Sequence, residues 1–115
     1  MTLHEWNQIT GEAMNPKVVR RVVHTARMTI ARLELQAGAH VPEHAHENEQ
    51  VSMVESGRLR FHLAGREVVV GPGQALEIPP RAPHSVDVLE DAVVTDVFAP
   101  RREDWIRGED AYLRG

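Results

Sequence analysis

The chain has 115 residues, enough for one domain around one core, and no cysteine, which excludes disulfides, iron–sulfur clusters and thiolate zinc. A formal charge of −4 and a pI near 5.9 argue against a nucleic-acid partner, and any anionic ligand would need a local positive centre. No apolar run approaches the ~18 residues of a membrane span, and Met1–Thr10 has neither the basic start nor the apolar core of a leader, so a cytoplasmic protein off the membrane is expected.

In chain order, the Asn15-Pro16 turn signal opens a valine-rich strand over Lys17–His24. Met28–Leu35 reads as a second strand of mixed parity. Met28 and Ile30 share one face and Leu33 and Leu35 the other, which predicts either a bulge or two buried faces. Gln50–Glu55 is a third. Leu59, Phe61 and Leu63 then alternate with Arg58, Arg60 and His62, the pattern of a half-buried strand, and Ala64-Gly65-Arg66 turns it into Glu67–Val70, so 58–70 reads as a hairpin. After the break at Gly71-Pro72-Gly73 come Ala75–Ile78, stopped by Pro79-Pro80, then His84–Val88 and Val93–Phe98, separated by an expected acidic turn at Glu90-Asp91. Seven or eight short strands punctuated by Gly and Pro predict an all-β closed barrel or jelly roll. Residues 1–115 are expected to form a single domain, with a barrel over about 17–98 and a charged tail over 100–115 carrying a short helix stopped by Gly108.

Gly38–Gln50 carries the densest chemistry. His44 and His46 are two apart and Gln50 lies four further on, so a strand through this segment projects all three to one side. His84 is a fourth candidate. Three imidazoles and an amide oxygen converging inside a barrel make a first-row transition-metal site.

These residues also carry a family resemblance. Gly38, His44, His46, Gln50 and Gly57 are spaced as in the first cupin motif, and Gly73, Pro79 and His84 as in the second, with Arg81 where that motif has glycine. A turn there is therefore expected not to depend on glycine. The chain resembles the cupins, whose fold is a double-stranded β-helix or jelly-roll barrel. More narrowly, His-x-His-x3-Gln followed by Asp96–Trp105 is similar to small single-domain cupins of the KdgF type. That resemblance implies a metal-dependent isomerase of uronate degradation, which opens the ring of 4,5-unsaturated monouronates to linear keto acids. It implies His44, His46, Gln50 and His84 as metal ligands, a catalytic Asp96, and Phe98 and Arg102 beside the substrate.

The chemistry of the residues bears on this reading. Neutral imidazole suits Ni, Zn, Fe, Mn or Cu, and the residues do not choose among them. With glutamine in place of a carboxylate, the ligands neutralise none of the ion's charge, which favours Lewis-acid chemistry over an oxygenase triad. Glu47 and Glu49 have the wrong parity for direct ligation. Asp96 shares parity with Val94 and Phe98, and an inward carboxylate is costly unless a cation is near. It is the candidate general acid or base. Arg102 would grip a substrate carboxylate through a forked pair of hydrogen bonds.

Plainer readings stand beside these. Asp96 can cap a loop or pair with Arg102, Arg102 can be a solvated tail residue, and Phe98 can be core. Trp105 is expected to pack the tail on the barrel. His40, in the expected loop before His44, is an alternative ligand, and His4, His24 and His62 are expected at the surface. Val51 and Met53 face away from the site, which suggests a homodimer interface. The expected substrate is a small anionic carbohydrate. Alternatives are another small-molecule cupin enzyme, an isomerase or a dioxygenase, or a metal- or ligand-binding sensor without catalysis.

Overall fold

A computed structural model describes residues 1–114. A short 3-10 turn at Trp6–Gln8 precedes eight strands: β1 (Glu12–Asn15), β2 (Val18–His24), β3 (Thr29–Leu35), β4 (His40–His44), β5 (Glu49–Leu63), β6 (Arg66–Val70), β7 (Ala75–Ile78) and β8 (His84–Ala99). Two helical turns close the described chain, α1 (Glu103–Ile106) and α2 (Ala111–Arg114). Strands run in the order β1-β2-β3-β8-β5-β6, with β4 on β8 and β7 on β5, and every pairing is antiparallel. The result is a jelly-roll barrel with a short helical tail.

Two long strands shape the barrel. The segments expected at 50–55 and 58–63 are one strand, β5, and those at 84–88 and 93–98 are one strand, β8. Glu90-Asp91 is therefore no turn: it lies inside β8, exposed where both strands bend together. The first half of β8 pairs with β4 and with the second half of β5. Its second half pairs with β3 and with the first half of β5. The bend is taken up by register shifts at Val54/Ser56, Ser56/Arg58 and Arg58/Leu59. These move the inward positions of β5 from Gln50, Ser52 and Val54 to Leu59 and Phe61, the parity change of a bulge. Gly57 makes it possible. Its φ is +80°, and a Cβ there would lie 2.2 Å from the Asp91 carbonyl oxygen, so only glycine lets the strands approach.

The mixed parity of the second predicted strand has a simpler origin than either expected cause. β3 keeps an unbroken register with both neighbours, and Thr29, Ala31, Leu33 and Leu35 all face inward. Met28 precedes the strand and is exposed. The inward position at 31 takes a small residue where Phe98 of β8 and Trp105 of the tail pack against it, and the Thr29 hydroxyl accepts from the Arg102 N–H (2.8 Å). The rest of the core is aliphatic apart from Phe61, with Leu33, Val54, Leu59, Ile78, Val86 and Val94 among its buried members. The hairpin at 63–66 is as predicted, with Ala64 and Gly65 both at positive φ (52° and 73°), as a two-residue primed turn requires. β1 had no clear signal in the sequence.

α1 ends before Gly108, whose φ of +79° stops the chain as expected. α2 was not foreseen. It returns the tail across β1 and β4, where Leu113 packs on the core and its carbonyl accepts from Asn15 Nδ2 (2.9 Å). Asp110 pairs with the buried Arg20 (2.9 Å), whose guanidinium stacks on Trp105 at 4.4 Å. Gly115 of the expected tail lies outside the described residues.

Candidate metal centre

Three histidines meet at one mouth of the barrel. His44 ends β4, His84 begins β8, and the two are directly paired across the strands. His46 sits in the bend between β4 and β5, so the expected continuous strand does not carry it. A hydrogen bond from Arg81 N–H to the His46 carbonyl (2.7 Å) turns it toward the others. Ring centroids are 4.3 Å apart for His44–His84, 5.2 Å for His46–His84 and 5.7 Å for His44–His46. Their ligand atoms all lie within 4.8 Å of one another, the only such group of three or more His, Asp or Glu among the described residues.

The hydrogen bonds decide what these rings present. Each Nδ1 lies against a backbone carbonyl: Pro42 for His44 (2.8 Å), Asn48 for His46 (3.0 Å) and Ala82 for His84 (2.8 Å). Nδ1 therefore donates and Nε2 carries a lone pair. Burial, the largest influence, pushes His44 and His46 down to about 4 and lowers His84, with the neighbouring Arg102 charge acting the same way on all three, so the rings are neutral at pH 7. His84 Nε2 is buried with no hydrogen-bond partner among the described residues. Gln50, second in β5, donates its amide N–H to Ser52 Oγ (2.9 Å) and so aims its oxygen at His46 Nε2, 3.0 Å away. Two acceptors at that distance repel unless a cation lies between them, and donor atoms each about 2.1 Å from one ion sit about 3.0 Å apart at a right angle. The orphaned His84 nitrogen and the facing acceptors fit a divalent metal held by His44, His46, Gln50 and His84.

Asp96 lies further along the same cavity. It is paired across the sheet with Ala31 on one side and Ser52 on the other, two small residues that leave space beside it. Its Oδ1 is buried without a hydrogen-bond partner among the described residues. Burial pushes its carboxyl up to about 6, against the opposing pull of the Ser52 hydroxyl, the Arg102 guanidinium and the Gln50 amide. Phe98 is 2 % exposed and meets His46 edge-on at 5.6 Å. It is both core and cavity wall.

Arg102 is 1 % exposed, so it is no solvated tail residue. Its guanidinium lies over Phe98 (4.7 Å) and Trp105 (4.4 Å). The fork expected to grip substrate is already engaged: Nε and Nη2 donate to the Asp104 carboxylate (3.0 and 2.8 Å), and Nη2 also donates to Tyr112 Oη (2.7 Å). In this state Arg102 lends the cavity its charge rather than a free fork.

Several expectations need adjustment. His40 is the first residue of β4 rather than part of a loop, and its side chain faces outward onto Asp87 (2.7 Å), away from the centre. His62 meets the same carboxylate (3.0 Å) on the solvent side, as its alternation predicted. Arg81 has a φ of +65°, so the turn keeps the left-handed conformation that glycine favours, with arginine carrying the strain. Glu47 and Glu49 are exposed, and Val51 and Met53 point outward as expected.

Three residues around the site escaped the sequence reading. Asn48 is buried between the ligands and bonds the Pro100 and Arg101 carbonyls, tying the ligand bend to the tail. Ser52 orients Gln50, and its shared parity with that residue was the available signal. Tyr112 stacks on His44 at 4.5 Å and 25°, and nothing local in the sequence marks it.

A cupin-domain family model matches residues 31–98. The chain belongs to the cupin family. It is similar over 90 % of its length, and 99 % of the other chain, to KdgF from Halomonas sp., at 27 % identity and a TM-score of 0.84. An RmlC-like cupin from Shewanella frigidimarina matches at 24 % identity and a TM-score of 0.85, covering 91 % of this chain and 96 % of that one. Oxalate decarboxylase from Bacillus subtilis matches at 21 % identity and a TM-score of 0.74, over 84 % of this chain but 29 % of that longer protein. The last two likenesses concern the fold. No curated protein matches the sequence. Among the described residues no helix is long and apolar enough to cross a membrane.

Proposed function

We propose that this cupin is a metal-dependent enzyme that opens the ring of a 4,5-unsaturated monouronate to a linear keto acid. The observation that carries the reading is a buried Asp96 carboxyl, one oxygen of it without a hydrogen-bond partner among the described residues, lining the same cavity as two of the three clustered neutral imidazoles, His44 and His84. A passive binding module has no use for such a carboxylate. The similarity to KdgF from Halomonas sp., end to end in both chains, supports the same reading.

His44, His46, Gln50 and His84 would hold a divalent ion, which supplies Lewis-acid polarisation of substrate oxygens. The remaining work falls to the chain. The positive charge of Arg102 attracts the substrate carboxylate into the cavity. Phe98 and Trp105 form its apolar wall and limit water. Asp96, with its carboxyl pushed up to about 6, is poised to take and return a proton near neutral pH. Ring opening needs such a shuttle. The anomeric hydroxyl loses its proton, the bond from C1 to the ring oxygen breaks as C1 becomes a carbonyl, and the electron pair leaves as the C5 enolate. C4 then takes up a proton and C5 becomes a ketone. The sum is an isomerisation with no net gain or loss.

The test is to mix protein, each of Ni, Zn, Fe, Mn and Cu in turn, and an unsaturated galacturonate, and follow the ultraviolet absorbance of the conjugated C4=C5 carboxylate. Its loss on enzyme addition is expected. Unchanged absorbance with every metal removes this reading, and oxygen uptake with ferrous iron would point to a dioxygenase.

A further inference from the structure

The cavity that joins the candidate metal centre to Asp96 holds only about 60 Å³ of free space. That accommodates a few water molecules, whereas sites that enclose small organic ligands run to roughly 300–1,000 Å³. Tyr112 and Leu113 of α2 are among the residues that line it. Tyr112 lies flat on the imidazole of His44 at 4.5 Å. Its phenol oxygen accepts from Arg102 Nη2 (2.7 Å) and from Trp105 Nε1 (3.1 Å).

We propose that α2 is a lid over the metal centre, and that the Tyr112 phenol oxygen stands on Arg102 where a carboxylate oxygen of the incoming ligand will sit. Two features make the lid releasable. It is a single helical turn whose buried apolar contribution is small, with Tyr112 and Leu113 only half-buried, and its fastenings are polar. Arg114 bonds Asp110 (3.0 Å) and Glu12, and Asn15 bonds the Leu113 carbonyl. Such fastenings re-form with water at little net cost. A carboxylate arriving at Arg102 replaces a neutral phenol oxygen with a charged acceptor, and charge-assisted hydrogen bonds are the stronger kind. Ligand binding and lid opening are thereby the same exchange. α1 stays in place, because Trp105 is wedged between Arg20 and Phe98.

The ligand class rests on the ring-opening reading, but the lid does not, so its test is separate. Protein loaded with nickel is mixed with excess chelator and the rate of metal loss is followed. Tyr112→Phe keeps the ring on His44 and removes both hydrogen bonds to its oxygen, and Leu113→Ala thins the apolar plug without touching Arg102. Each is expected to lose metal about tenfold faster than wild type, with the unfolding midpoint confirming an intact fold. Rates unchanged in both variants overturn the lid. Where uronate turnover is present, Tyr112→Phe is also expected to lower KM with little change in kcat, since the Arg102 Nη2 donor given to the phenol is freed for the ligand while Asp104 keeps the guanidinium in place. A raised KM overturns the exchange at Arg102 and leaves Tyr112 as a structural residue. A protein that turns over no uronate still answers the chelator experiment.

Discussion

Asp96→Asn separates the cost of the buried carboxylate from its use. The substitution keeps the shape of the side chain and removes its charge. In the metal-free protein the folded carboxyl stands at about 6 against an ordinary 3.8, and each pKa unit corresponds to about 1.4 kcal/mol. The ionised carboxylate therefore costs the fold about 3 kcal/mol, so D96N is expected to be more stable than wild type by up to that amount. At about 4 °C per kcal/mol for a chain of this size, the unfolding midpoint rises by roughly 10 °C. The sign follows from linkage. The folded pKa is raised, so the penalty is fully present above pH 6, declines as the folded state takes up its proton, and is gone below pH 3.8. The advantage of D96N should be maximal near pH 8 and vanish near pH 4 in urea melts across that range. Saturating metal should shrink it, because a nearby cation compensates the wild-type carboxylate. Turnover should fall by at least about 100-fold at every pH. A D96N protein no more stable than wild type at pH 8, or equally favoured at pH 4 and pH 8, would refute a net penalty for the ionised carboxylate here.

Other outcomes follow from the same geometry. His84→Ala removes a ligand nitrogen that has no other partner among the described residues. Calorimetry should therefore show metal binding collapse, and the stabilisation of about 2.7 kcal/mol expected for wild type at 100 times Kd should disappear. Gly57→Ala places a methyl group 2.2 Å from the Asp91 carbonyl; it should cost about 3 kcal/mol or more, seen as lost soluble yield or an early urea midpoint. Arg81→Gly acts in the opposite direction. Relief of a positive φ (65°) outweighs the added freedom of the unfolded chain, so a gain of about 0.5–1 kcal/mol is expected in the same assay.

Much of this protein could be read along the chain. Period-two alternation punctuated by Gly and Pro implied an all-β barrel or jelly roll, and the resemblance of Gly38–Gly57 and Gly73–His84 to the two cupin motifs implied the cupin fold. The four candidate ligands were identifiable because His-x-His-x3-Gln and a later histidine are tied to those turns. The hairpin at Ala64-Gly65 and the helix stop at Gly108 were visible because they depend only on local backbone preferences.

What escaped depends on contacts distant in sequence. Glu90-Asp91 has the composition of a turn, yet it is strand because Gly57 lets β5 and β8 bend together there. The parity of β3 was obscured because Ala31 packs against Phe98 and Trp105 and Thr29 bonds the Arg102 N–H, all more than sixty residues away. Arg102 was expected to offer its fork to a ligand, but Asp104 and Tyr112 engage it, and only the folded tail brings that phenol to the site. Local spacing determines which side chains can face inward, whereas packing between remote segments decides which of them remain unpartnered. Among the described residues four buried polar atoms stay unpartnered: Arg20 Nε and Nη1, on the guanidinium that stacks on Trp105, and His84 Nε2 and Asp96 Oδ1, the two that the proposed chemistry would use.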